Sequence, residues 1–161
     1  SYGLEVVADQ VGEDAEAREG PLAGILAGLE RAAARGRPFL ATAAADTPFP
    51  PRRLVDALRA VRRAEDLDVV FAATRRPGAD RLDLHPTFGL WRVELAADLR
   101  RMLETERERK VLAFAERYEI GAAEFENPDP ETGLDPFFNV NRPEDLAAAE
   151  IAALRLAGAA S

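Results

Sequence analysis

Short apolar runs closed by Asp, Gly or Pro set the rhythm of the first half of this chain. Glu5-Val6-Val7-Ala8, Phe39 to Ala45 and Asp68-Val69-Val70-Phe71-Ala72-Ala73 read as strands. The last is continuous enough in apolar residues to be buried on both faces. Between them the period changes. Gly20-Pro21-Leu22-Ala23-Gly24-Ile25-Leu26-Ala27-Gly28-Leu29 opens a helix that runs to about Ala34 and stops before Gly36. Pro21 suits the first helical position, where its missing N–H costs nothing. Leu54, Ala57, Leu58 and Val61 recur at helical spacing in a second helix, Pro51 to Arg63.

Strand, helix, strand, helix, strand with short connections is the pattern of a parallel sheet covered by helices. Crossovers in such a sheet are right-handed. The second half is less regular. It predicts a strand over Thr87 to Val93 and a helix over Leu95 to Glu104 with Leu99, Met102 and Leu103 inward. A short helix, Val111 to Tyr118, a strand, Ala122 to Phe125, and a Pro- and Asp-rich loop, Asn127 to Pro136, follow. A terminal helix covers Pro143 to Leu156. With no internal repeat and no long linker, the expectation is one α/β domain over residues 1–161, with a mostly parallel sheet flanked by helices.

At 161 residues and 47% hydrophobic, the chain can bury a sizeable core. Its 29 acidic against 21 basic residues give a net charge of -8, which argues against DNA or RNA, whose binding rests on many Lys and Arg contacts. A single nucleotide stays open, because its phosphates can be held by a metal and backbone N–H groups. The absence of cysteine rules out disulfides and thiolate metal sites and is compatible with a reducing cytosol. No apolar run reaches membrane-spanning length.

Candidate chemistry gathers at strand ends. After Phe39 to Ala45 comes Asp46-Thr47-Pro48-Phe49-Pro50-Pro51, so one carboxylate stands where ligands of open parallel sheets bind. Asp46 could hold a divalent cation against phosphate oxygens, or could merely start a turn and cap the next helix. Asp9 ends its own strand in the same way, with a turn role as the alternative. Gly20, Gly24 and Gly28 fall on one stripe of a helix, where each interior glycine costs roughly 1 kcal/mol relative to alanine. Close packing suits Gly28; for Gly20 and Gly24, approach of a ligand is an equal alternative.

In Phe137-Phe138-Asn139-Val140-Asn141-Arg142-Pro143-Glu144-Asp145, an extended backbone would point Asn139 and Asn141 the same way. Capping of the last helix accounts for Asn141 but not for Asn139. His85 is the only histidine, and no neighbour in sequence orients its ring, so a structural role is the expectation, with general acid/base chemistry as the alternative. Lys110, the only lysine, lies in Arg107-Glu108-Arg109-Lys110-Val111, a charge run of the kind that forms a solvated face.

Taken in order, Val7-Ala8-Asp9, Gly20-Pro21-Leu22-Ala23-Gly24, Asp46-Thr47-Pro48-Phe49, His85-Pro86-Thr87-Phe88-Gly89-Leu90-Trp91, Arg109-Lys110-Val111 and Asn139-Val140-Asn141-Arg142-Pro143-Glu144-Asp145-Leu146 resemble the molybdenum cofactor guanylyltransferase family. The resemblance implies a Rossmann-like nucleotidyltransferase fold and magnesium-dependent transfer of GMP from GTP to molybdopterin in the cytoplasm. It implies Asp46 as magnesium ligand and GTP contact, and Asp9, Gly20, Pro21, Leu22 and Gly24 as further GTP contacts. It also implies Asn139 and Asn141 on the molybdopterin side, with Lys110 taking part in transfer beside Asp46. Molybdoenzymes or their chaperones are implied partners.

Two departures stand against the family pattern. Arg142 occupies a place where threonine is usual, and the glycine-rich N-terminal signature that cradles the triphosphate does not occur. The resemblance therefore implies a start just before the family's third strand, with the first strands missing. Without that loop, base choice between GTP and CTP is open. A cytidylyltransferase, a sugar-phosphate nucleotidyltransferase and a non-catalytic binding platform of the same fold are the alternatives.

Overall fold

Gly20, at φ 127°, turns the chain straight into Pro21, and α1 (Pro21–Ala34) begins there. The computed structural model describes residues 20–75 and 81–159. The expected strand Glu5 to Ala8, Asp9 and the loop Gln10 to Glu19 lie outside the described residues. α1 buries Leu22, Ile25, Leu26 and Leu29 at the spacing of one helical face. It is followed by β1 (Phe39–Thr42), α2 (Leu54–Glu65), β2 (Val69–Arg75) and β3 (Leu82–Arg92). A 3-10 turn (Val93–Leu95) leads into α3 (Ala96–Thr105), then α4 (Val111–Ala115), β4 (Ile120–Phe125) and α5 (Pro143–Ala159).

Among the described residues four strands form one mixed sheet in the order β1-β3-β2-β4. Within it β3 runs antiparallel to both β1 and β2, and only β2 and β4 pair in parallel. The expectation of a mostly parallel sheet is corrected accordingly. β1, β2 and β4 do run one way, but β3 is inserted between the first two. Residues 76–81 alone join β2 to β3, too short a link for the crossover that parallel pairing needs.

β2 is buried through its first six residues, and its side chains alternate between two cores. Val69 and Phe71 meet Leu26, Leu29, Trp91, Leu99, Met102 and Phe114 beneath α1, α3 and α4. Val70 and Ala72 face Leu54, Leu58, Phe88, Leu90 and Phe137 on the α2 side. Arg100 of α3 holds Glu30 of α1 at 2.6 Å and ties the two helices together at their rim.

One irregularity shapes the site. Phe71 pairs with Gly89 while Ala72 pairs with His85, so Pro86, Thr87 and Phe88 leave the β2–β3 ladder as a bulge. Proline has no N–H to give the ladder, which makes it tolerable there. Among the described residues no helix is long and apolar enough to cross a membrane.

Candidate active site

β1 ends sooner than its apolar run suggests. Its ladder with β3 closes at Thr42–Gly89, next to the bulge, and Ala43 to Ala45 continue as irregular chain rather than strand. Thr42 is the pivot. Its Oγ1 accepts the Gly89 N–H and the Trp91 Nε1–H, both at 3.1 Å, and donates to the Gly89 carbonyl at 3.4 Å. Beyond it a cleft of about 710 Å³ opens between α1 and the end of β1, lined by Pro21, Gly24, Gly28, Ala45, Asp46 and Thr87 among others. The bulge therefore delivers Thr87 to the cleft wall.

The loop after β4 crosses the same edge of the sheet, from the end of β4 to the end of β1. Phe137 anchors it, buried with ring centroids 4.2 Å from His85, 4.7 Å from Phe88 and 5.6 Å from Phe125. Asp135 Oδ1 accepts the Phe137 N–H at 2.8 Å and fixes the turn before it. Two bonds then fasten the loop to the cleft. The Val140 N–H donates to the Asp46 carbonyl at 2.9 Å, and the buried Thr47 Oγ1 donates to Asn139 Oδ1 at 2.6 Å.

The residues singled out from sequence fall into distinct groups. Asp46 is exposed at the cleft, with its backbone carbonyl rather than its carboxylate taken by Val140. Gly28 is closely packed, since a Cβ there would lie 2.8 Å from Leu40 Cδ2, whereas at Gly20 and Gly24 it would meet nothing within 4 Å. Pro21 and Gly24 border the cleft. Leu22 does not: its side chain is 1% exposed in the core beneath α1, which leaves only its backbone for a ligand.

Asn139 and Asn141 are not on a strand but in irregular chain, so the alternation that aligned them does not hold. Nor does the Asn141 side chain supply the cap of α5. Asp145 Oδ2 reaches back to the Asn141 and Arg142 N–H groups at 3.0 and 2.9 Å, which offsets the poor capping power of Arg142. Lys110 precedes α4, exposed, with its N–H on Glu108 Oε1 at 2.8 Å. That bond and the one from the Arg109 N–H hold the Glu108 carboxyl below its usual range. Lys110 is not in the wall of the Asp46 cleft. Leu112 of the same helix lies beside Arg81, Leu82 and Leu84 at the start of β3, so α4 reaches the same sheet edge by another route.

His85 keeps the structural role. Its Nε2 sits 2.9 Å from Thr74 Oγ1 and its ring lies on Phe137. Burial lowers its pKa, with Asp135 and Asp83 opposing. Thr47 and Thr87 had no role assigned from sequence. Thr47 was legible only as the residue after a strand-end acid, since its partner is 92 positions away.

Among the described residues no group of three or more His, Asp or Glu side chains is placed to hold a metal. A lone exposed carboxylate fits magnesium nonetheless, because that ion keeps its waters and takes one or two carboxylates together with substrate phosphates.

Residues 2–120 match the model of the MobA-like NTP transferase domain. The chain is 45% identical over 153 residues to a molybdenum cofactor guanylyltransferase of Bradyrhizobium sp. (strain ORS 278), covering 93% of this chain and 65% of that protein. It is 47% identical over 152 residues to one of Mesorhizobium japonicum, covering 92% and 66%. The chain thus spans just under two thirds of the length of these two curated relatives. Among solved structures it is similar to molybdopterin-guanine dinucleotide biosynthesis protein A of Archaeoglobus fulgidus, with TM-score 0.55, 26% identity, and 84% and 64% of the two chains covered. A putative protein of Aquifex aeolicus shares the fold at TM-score 0.59 and 17% identity, covering 85% of this chain and 62% of that one.

Proposed function

This chain belongs to the MobA-like NTP transferase domain family, and we propose on that footing that it serves the transfer of GMP from GTP to molybdopterin. In that reaction a phosphate oxygen of molybdopterin forms a bond to the α-phosphorus of GTP. The bond from that phosphorus to the bridging β-phosphate oxygen breaks, and pyrophosphate leaves. The observation that carries the reading is the placement of Asp46 at the mouth of an open cleft, fastened through Thr47 and Val140 to the Asn139 loop. The Asp46–Thr47 segment and the Asn139–Val140 segment, from distant parts of the chain, are thereby tied to each other, which supports the reading that they serve one site.

Phosphoryl-type transfer asks for positioning and charge neutralisation rather than a covalent nucleophile. Asp46 would be the protein's ligand to magnesium, and the ion would neutralise charge on the phosphates. Pro21 and the bare backbone at Gly24 form a wall that the flat nucleotide can approach closely. Asn139 would donate its amide hydrogens on the molybdopterin side. Lys110, just before α4, would supply a positive charge to that substrate, and Asn141 and Asp9 would add further contacts. A cytoplasmic enzyme with magnesium as its cofactor fits this reading, with molybdoenzymes or their chaperones receiving the product.

The test is a guanylyl-transfer assay on the protein as its gene encodes it, with magnesium, GTP or CTP, and molybdopterin. Formation of the guanine dinucleotide with release of pyrophosphate is the expected outcome. Preference for CTP, or for a sugar phosphate as acceptor, would replace the reading with that of a related transferase. GTP binding without turnover would point to a binding platform.

A further inference from the structure

The bond between Thr47 and Asn139 has a consequence beyond holding a loop in place. Thr47 is 6% exposed, yet its hydroxyl donates at 2.6 Å to a side chain that is itself exposed. With Oδ1 taken by that hydroxyl, the Asn139 carboxamide keeps its Nδ2 group clear of the threonine. Without that acceptor bond the carboxamide could turn over and present an oxygen instead. On the other side of the peptide, Asp46 holds the Val140 N–H at 2.9 Å, so the backbone on which Asn139 stands is fixed to the residue before Thr47.

We propose that Thr47 is a positioning residue: its buried hydroxyl sets the Asn139 carboxamide in the donor-outward orientation and thereby locates the second substrate relative to Asp46. The inference rests on the guanylyl-transfer reading for what Asn139 contacts, but not for the orientation itself. Thr47 touches neither substrate. Its effect on transfer is carried entirely by Asn139, because a threonine hydroxyl so buried has no open path to the cleft.

The experiment is a double-mutant cycle of Thr47→Val with Asn139→Ala, with Thr47→Ser as the variant that keeps the hydroxyl. Thr47→Val alone should raise the molybdopterin KM by roughly five- to tenfold, the scale of one hydrogen bond, and leave the GTP KM unchanged. Thr47→Ser should restore it, and in the Asn139→Ala background the valine should have no further effect. An additive loss in the double variant, or an equal rise in the GTP KM, would overturn the proposal. Side-chain amide resonances of Asn139 give a readout that needs no catalysis. They should shift in Thr47→Val and return in Thr47→Ser, and resonances indifferent to both variants would also overturn it. If the wild type transfers no guanylyl group, the functional reading fails, and these resonances alone decide whether Thr47 orients the amide.

Discussion

The indole of Trp91 donates to the Thr42 hydroxyl at 3.1 Å, and through that bond a fully buried ring in the core holds the last residue of the strand that leads to Asp46. The bond depends on a third residue. A Cβ at Gly89 would stand 2.9 Å from Trp91 Nε1 and 3.1 Å from Phe71 Cδ1, so only glycine leaves the indole room. Thr42→Val removes the acceptor of both the indole and the Gly89 N–H. It should cost about 2 kcal/mol in urea unfolding, with Thr42→Ser close to wild type. Gly89→Ala should cost a similar ~1–3 kcal/mol through crowding.

Asp46→Asn keeps the size of the side chain and removes its charge. Transfer should fall by about a hundredfold or more, the dependence on magnesium concentration should weaken, and the melting temperature should stay near wild type. Unchanged turnover with the same magnesium response would remove Asp46 from the metal.

The glycines of α1 separate packing from ligand approach. Gly28→Ala forces Leu40 to shift and should destabilise the fold. Gly24→Ala meets nothing within 4 Å and should gain up to about 1 kcal/mol from helix propensity. A loss of GTP affinity in that stabilised variant, read by titration calorimetry, is the expected sign that the nucleotide lies against this wall.

Asn139→Asp and Lys110→Ala should spare GTP affinity and cut transfer, since the proposed function assigns both to the molybdopterin side. A large loss of GTP binding in either would move that residue to the other substrate.

His85 predicts a pH dependence of stability. Burial lowers its pKa from 6.5, so the unfolded chain binds its proton more readily than the native one. Stability from this group is complete above the unfolded pKa and is lost as pH falls through 6.5 toward the lower native value. The groups facing the ring are Thr74, Phe137, Asp83 and Asp135, the two acids opposing the shift. His85→Phe should flatten urea-unfolding free energies between about pH 7 and 5. The carboxylates Glu106, Glu108 and Glu124, whose pKa values are lowered from 4.5, act below that window.

Much of this architecture can be read from local pattern. α3 emerges from Leu99, Met102 and Leu103, and β2 from its unbroken apolar run, because burial on a known period leaves a mark in sequence. β3 was harder to see. Asp83 and His85-Pro86 look hostile to a strand, and the bulge that accommodates them is defined by pairing, not by composition. The antiparallel insertion of β3 was hidden for the same reason: with the strand read from Thr87 the link after Ala73 looks long, whereas the structure leaves only residues 76–81 between β2 and β3. Asp46 stood out because the apolar run before it reads as a strand to Ala45, although β1 itself closes at Thr42. Its connection to Asn139 did not, since Thr47 and Asn139 meet only through the loop that Phe137 anchors from the far side of the sheet.

The bulge in β3 sends adjacent residues to different destinations, Thr87 to the cleft wall and Phe88 to the socket that receives Phe137. Period-two geometry makes the two inseparable, because adding or deleting one residue between His85 and Gly89 would exchange the surfaces they face. Such an indel would strip the cleft of Thr87 and unseat the loop bearing Asn139 in one event. At this point of the chain, spacing is therefore a stricter requirement than side-chain identity, and a library that varies residues 86–88 at fixed length should retain far more folded members than one that varies their number.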